Sequence, residues 1–426
     1  MYNASASGQL PAVSIPSKFV GMHYSSWSGG TPTPAVTYAP KIWRSLGNDV
    51  NWADIESSDN VFTGDGKAKL DDRVAYFAAQ GQDIYYQIYE TPAHCRVAGQ
   101  SWAAVTDQDG QVGAGCVPDT VKLARFVTWL LTTYPQIKYL SPWNEPKWAT
   151  NPAIKVWGTN TGLAVGDSVV GLTSGATGTV STIGSQMVIR YTDAANVATP
   201  FSPGAETIQK VGDASKYWTA TSTSAIWYWF GTKAELVTHC QTVYAAAKAA
   251  NPNVLVTWPD FVEGGGSEEQ WIETWLDAGG SNAFDVGAYH FYGYDIRDAN
   301  LNAVAYSLPA RCDSIDAILA ARGISCPLIA SECGAVPGWA FYDSLSKGAQ
   351  AQTLKRVTAY LAARGWLGVI WYGHSNTYCG NPSVYPEISQ ALNWLQQTLG
   401  GKTISGAYVA EDNTLRMLVD GNPVTL

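Results

Sequence analysis

Residues 120–146 read TVKLARFVTWLLTTYPQIKYLSPWNEP. The first half carries the apolar spacing of a helix, Thr120–Thr133. The second half is a short apolar run, Tyr139–Trp143, that ends on an amide, a carboxylate and a proline. Pro146 has no amide N–H and stops a strand ladder. A helix feeding a strand whose end carries Asn144 and Glu145 is one unit of an alternating pattern that recurs along the chain.

Working outward, the other strand candidates are Phe19–Tyr24, Ile42–Leu46, Asp83–Tyr89, Val254–Trp258, Asp285–His290, Leu328–Ser331 and Leu367–Trp371. With the first run they make eight. Helical stretches fall at Asp71–Gln80, Lys233–Asn251, Glu268–Ala278, Ala310–Arg322 and Gly348–Arg364. Strands alternating with helices predict βα units around a parallel sheet. Eight of them favour a closed (β/α)8 TIM barrel over an open doubly wound sheet. An early G-x-G-x-x-G, which a dinucleotide-binding fold would need, is missing.

Two segments break the alternation. Residues 147–226 read as a small β insertion after strand four, within which 159–215 are rich in Gly, Ser, Thr and Val. Trp148, Trp157 and Trp218 lie near its ends and are expected to offer stacking faces beside the site. Residues 399–426 read as a partial C-terminal β element, with turns at 411–413 and 420–422. The barrel is therefore expected over 18–146 and 227–398.

Composition narrows the function. Lys and Arg total 26 against 35 Asp and Glu, a net charge of −9, which argues against binding a phosphate backbone. Thus no nucleic-acid partner is expected. No run approaches the ~18 apolar residues of a membrane span, so no membrane partner is expected either. The N-terminal residues lack a basic start followed by an apolar run and do not read as a secretory signal. The 18 Trp and 23 Tyr outnumber the 10 Phe, a balance suited to stacking on sugar rings as well as to an aromatic core. None of the seven cysteines forms a C-x-x-C pair. Cys240 is expected to be buried and unpaired, while Cys95–Cys116 and Cys333–Cys379 remain open pairings. The five histidines show no close metal spacing, no phosphate loop follows Gly264–Gly266, and no G-x-S-x-G elbow occurs.

The chemistry rests on two strand ends. Ser141-Pro-Trp-Asn-Glu-Pro146 delivers Glu145 to one, and Leu328-Ile-Ala-Ser-Glu-Cys-Gly334 delivers Glu332 to another. On a barrel both lie at the C-terminal rim, where catalytic groups gather. Two rim carboxylates are what glycoside hydrolysis needs: one protonates the leaving oxygen, the other attacks or activates water. Arg44 would hold a nucleophilic carboxylate ionised, Asn144 would donate to a sugar hydroxyl, and His290 and Tyr292 share one strand face. Trp371 is expected to floor the sugar site, and His23 on strand one to line it. Glu90, His94 and His374 are weaker candidates.

These motifs resemble clan A glycoside hydrolases, the (β/α)8 retaining enzymes, and most of all their family-39-like branch. Trp143-Asn144-Glu145-Pro146 matches the clan's acid/base motif, and Glu332 its nucleophile. Arg44, Trp52 and Ile55-Glu56 match the strand-two Arg and the W-x-x-I-E pattern that follows. Tyr89-Glu-Thr-Pro92, Asp285–Tyr292 and Val369–Tyr372 fit strands three, six and eight. The resemblance implies retaining hydrolysis of β-type O-glycosidic bonds in a polysaccharide or oligosaccharide, with no metal or organic cofactor. It leaves open endo cleavage, exo release of single sugars as in β-xylosidase-like enzymes, and a non-catalytic carbohydrate-binding protein. The insertion departs from the family, and its phrases resemble small β modules of bacteriophage virion proteins. That implies a phage-encoded depolymerase acting outside the cell or on the virion. Sugar identity and oligomeric state stay open.

Overall fold

The computed structural model describes residues 9–24, 27–28, 31–32, 38, 40–45, 50–100, 113–146, 153–191, 201–202, 205–225, 229–262, 269–296, 306–334, 345–373, 380–410, 412 and 414–426. At its centre is a closed parallel barrel. Its strands are Val20–His23, Ile42–Arg44, Asp83–Gln87, Ile137–Ser141, a fifth split into Leu255–Val256 and Phe261–Val262, then Gly287–Tyr292, Leu328–Gly334 and Val369–Trp371. Strand one pairs with both strand two and strand eight. The two halves of strand five close the ring: Leu255 pairs with Tyr139 on strand four, and Phe261 with Tyr289 on strand six. Single bridges at Asn144–Asp260 and Thr257–Val286 span the break. The break falls at Pro259, which lacks the N–H a continuous ladder would need.

Helices lie between the strands as expected, with shifted ends. Thr120–Thr133 starts at Asp119, whose side chain accepts from the Val121 and Lys122 amides. Lys233–Ala250 starts on a capping box made by Thr232 and Glu235. Helix Asp65–Ala79 begins earlier than expected. Helix Pro386–Leu399 follows strand eight and is additional to the expected set, burying Ile388, Ala391, Leu392, Leu395 and Leu399. The lower lumen is filled by Ile42, Ile329 and Ile370. Gly21 fits there because a Cβ would meet Ile370 Cγ1 and Ile42 Cβ at 2.9 Å.

Residues 153–225 form a second, antiparallel closed barrel of six strands. Its core holds Ile154, Val156, Val169, Val180, Met187, Ile189, Ile208 and Trp218, and it takes in Cys116 and Phe230 from the larger barrel's loops. Trp218 corrects one expectation: it is 1% exposed, with its indole lying over Gly158, and offers no stacking face. Trp157 is exposed, and Trp148 falls outside the described residues.

The C-terminal strands Thr403–Val409, Leu415–Val419 and Asn422–Thr425 form a meander. Its free edge is completed by Val13–Ser14 from near the start of the chain. Ile404, Leu415, Met417 and Val419 bury into the same apolar core as the parallel barrel. Cys95, Cys116, Cys240, Cys312 and Cys333 are buried free thiols, so Cys95 and Cys116 do not pair; Cys379 lies outside the described residues.

Candidate active site

Alternation along each barrel strand decides what reaches the lumen. On strand two, Trp43 turns outward to stack on Phe77 while Arg44 points in. On strand three, Tyr85 and Gln87 point in. Strand six presents His290 and Tyr292.

Strand seven needs an irregularity. Strict alternation from Ile329, which points inward, would send Glu332 outward. The register slips between Ala330 and Cys333, so two residues of strand seven stand where strand eight has one. A bulge of this kind re-aims the side chain beside it, and it turns Glu332 into the lumen.

Glu145 reaches the site by a different device. It sits at φ +41°, a backbone region that non-glycine residues seldom occupy. Its N–H donates to the Asp260 carbonyl at 2.9 Å, and the Asp260 N–H donates to the Trp143 carbonyl at 3.0 Å. Behind this turn, His239 donates from Nε2 to the Pro142 carbonyl at 2.8 Å and packs edge-on against Trp143 and Trp229. Burial pushes His239 down to about 4, so it is neutral there.

The two carboxylates meet across His290. Its Nδ1 lies 2.8 Å from Glu145 Oε1 and 3.3 Å from Glu332 Oε2. One carboxylate oxygen of Glu145, one of Glu332 and one ring nitrogen of His290 all lie within 4.8 Å of one another. Arg44 Nη1 and the Tyr292 hydroxyl both donate to Glu332. Tyr292 keeps its proton because burial and the charges of Glu332 and Glu145 push its pKa well up. Burial pulls His290 down, but the Glu332 charge and the contacts with Asp260 and Glu145 outweigh it, leaving it pushed up to about 9. As an imidazolium the ring shares its single Nδ1 proton between Glu145 and Glu332.

Below them lies a buried polar cluster. Arg44, fully buried, donates from Nη2 to Asp260 Oδ2 at 2.9 Å and to Gln87 Oε1 at 3.0 Å. Gln87 donates to Asn144 Oδ1 at 2.8 Å and to Asp260 Oδ2 at 2.9 Å. With its oxygen taken, Asn144 offers its amide N–H groups to a ligand. Burial raises Asp260, but the His290 ring and the Arg44 charge more than offset this and hold its carboxyl below the usual range.

Arg44, Asn144, Glu145, His290, Tyr292 and Glu332 are thus brought together. His23 stands at the same end, stacked on Tyr372 with ring centroids 4.7 Å apart. Trp371 is a correction. Ile370 fills the lumen, so its neighbour faces outward, and the Trp371 indole N–H donates to Thr358 on helix Lys347–Ala363 at 3.0 Å. The aromatic at this rim position is Tyr372, which also meets Tyr292 edge-on. His94 belongs to a separate cluster with Glu56 and Cys95, and His374 lies outside the described residues. Sequence reasoning missed Asp260, Gln87 and Tyr85. The run Trp258-Pro-Asp260 carried the same signal as the motif at Glu145, a strand end followed by a carboxylate.

No protein-family model matches the sequence, and no curated protein matches it. Solved structures do match. A glucosidase from Croceicoccus marinus aligns at 13% identity with a TM-score of 0.51, over 97% of this chain and 76% of its own. A family 39 glycoside hydrolase from Bacteroides cellulosilyticus aligns at 14% identity and 0.51, over 91% of this chain and 64% of its own. A monomeric β-xylosidase from Caulobacter crescentus aligns at 13% identity and 0.52, over 96% and 73%. At these identities the likeness establishes the shared (β/α)8 fold. Among the described residues no helix is long and apolar enough to cross a membrane.

Proposed function

We propose that the chain is a retaining glycoside hydrolase acting on β-type O-glycosidic bonds of a polysaccharide or oligosaccharide. The observation that carries this reading is that one carboxyl oxygen of Glu145 lies within 4.8 Å of one of Glu332. Retaining enzymes hold their two carboxyls roughly 5–5.5 Å apart, whereas inversion needs roughly 6.5–9.5 Å to admit a water. Glu332, held by Arg44 and Tyr292, attacks the anomeric carbon. Glu145 gives its proton to the departing oxygen as that bond breaks. Water then attacks the glycosyl ester, losing a proton to Glu145 and releasing Glu332.

Two finer readings compete. Endo cleavage of a polymer fits the β module inserted directly after the acid/base strand, on the face where barrel loops shape substrate sites. Release of single sugars is favoured by two fold neighbours whose names are glucosidase and β-xylosidase. Action outside a cell or on a virion belongs to the same proposal and is supported by the insert's composition alone; locating the protein in culture medium or on purified particles tests it.

The decisive experiment incubates the protein with a panel of aryl glycosides and glycans, with Glu145→Gln as the control. Proton NMR of the first product is expected to show retained anomeric configuration. Product sizing separates the two finer readings: short oligomers throughout the digest mean endo, and monomers alone mean exo. Inverted product, or equal turnover by the variant, refutes the mechanism.

A further inference from the structure

Asp260 is bonded to groups on both sides of the carboxylate pair, yet it is fully buried and faces no substrate. Its main chain holds the Glu145 turn, through the Glu145 N–H to Asp260 carbonyl bond and the Asp260 N–H to Trp143 carbonyl bond. Its side chain accepts from Arg44 at 2.9 Å, from Gln87 at 2.9 Å and from the Tyr85 hydroxyl. Arg44 in turn holds Glu332. One residue of strand five therefore ties the backbone of one carboxylate to the counter-ion of the other.

We propose that Asp260 is a positioning residue that sets the spacing and the charge balance of the Glu145–Glu332 pair. The inference rests on the glycosidase reading for its kinetic consequences, though the electrostatic part stands without it.

The charge argument follows from the groups in contact. His290 is faced by Glu145 and Glu332 at Nδ1, and by Asp260 at 3.8 Å and Arg44 at 3.3 Å on the Nε2 side. The Tyr292 and Tyr85 hydroxyls donate to Glu332 and Asp260. Two carboxylates, Asp260 and Glu332, share two cations, Arg44 and the His290 imidazolium, while Glu145 carries the transferable proton. Without the Asp260 charge, Arg44 has one anionic partner instead of two. Every proton in the cluster is then easier to lose, because a neighbouring anion that favoured the protonated forms is gone.

Asp260→Asn keeps the size and the backbone bonds and removes the charge. It is expected to move both limbs of the kcat/KM–pH profile to lower pH, by about one unit for the alkaline limb. It is also expected to lower kcat by about 100-fold while KM stays within about threefold, since Asp260 does not touch substrate. A role confined to folding would lower the height of the profile without moving its limbs, and that result overturns the proposal. A second readout needs no activity. The imidazole signal of His290, identified among five histidines by its loss in His290→Gln, is expected to titrate near 9 in the wild type and at least a unit lower in Asp260→Asn. An unmoved titration overturns the charge argument. If the wild type cleaves no glycoside, the glycosidase reading falls and the imidazole titration still decides the role of Asp260. If Asp260→Asn does not fold, Tyr85→Phe replaces it. It removes one donor, keeps the charge, and is expected to lower kcat several-fold at unchanged KM; wild-type kcat would overturn the proposal.

Discussion

At the scale of single residues, the two carboxylates have different tests. Glu145→Ala removes the proton donor but not the nucleophile. Glycosides with good leaving groups, which need little protonation, are expected to lose far less kcat than alkyl glycosides, on the order of 10-fold against 10³-fold or more. Equal losses measured on a leaving-group series would remove Glu145 from the acid role. Trp371 and Tyr372 form a second contrast. The Trp371 indole serves helix packing, so Trp371→Phe is expected to cost about 1–3 kcal/mol of stability through the orphaned Thr358 hydroxyl and the lost volume. Its kcat/KM should stay within about threefold. Tyr372 stands at the rim on His23, and Tyr372→Ala is expected to cut kcat/KM by about 10-fold or more with little change in melting, by analogy with the loss of one stacking aromatic. Melting curves and kinetics on both variants check the assignment, and the reverse pattern would restore Trp371 to the site.

At the scale of elements, helix Lys233–Ala250 steadies the Glu145 turn through His239. The ring is neutral when folded, pushed down to about 4 by burial, against about 6.5 in the unfolded chain. Between those values the unfolded chain binds a proton that the folded one does not. Stability therefore falls as pH drops from about 6.5 to 4, by about 3 kcal/mol in total. His239→Gln can still donate to Pro142 and does not titrate. Its denaturant-derived stability is expected to be lower at pH 7 but flatter across that window than the wild type's. An equally steep slope would place the acid sensitivity elsewhere. Strand seven makes the parallel point without titration: a one-residue slip decides whether Glu332 faces lumen or helix layer.

At the scale of the whole molecule, two barrels have separate cores joined at Cys116 and Phe230. Replacing residues 153–225 with a short Gly/Ser linker is expected to leave the parallel barrel folded. Its Tm should drop by a few degrees, because those two side chains lose their cover and long loops close at modest entropy. Turnover of a small aryl glycoside is expected to persist while activity on polymer falls. Calorimetry and both assays on one preparation check this. An unfolded product would make the insert part of the parallel barrel's own stability, and unchanged polymer kinetics would free it from substrate binding.

The alternation of short apolar runs with helical spacing determined the eight-stranded barrel, because period-2 and period-3.6 patterns are local properties of the chain. The same local logic placed Glu145 and Glu332 at strand ends and marked 147–226 as β. Where a side chain faces is not local. Trp371 and Tyr372 are adjacent aromatics, and only the register of strand eight against Gly21 and Ile42 tells which of them enters the site. Trp218 reads as a surface stacking residue until the six-stranded ring closes around it. Val13–Ser14 pairs with Thr403–Ile404 across almost the whole chain, a contact no local pattern announces. Asp260 is the clearest case. In sequence it is one carboxylate after a proline; its meaning comes from Arg44, Tyr85, Gln87 and Glu145 arriving from three other strands. Burying that many charges in one place is tolerable only when each finds a partner, and the tertiary fold alone supplies them.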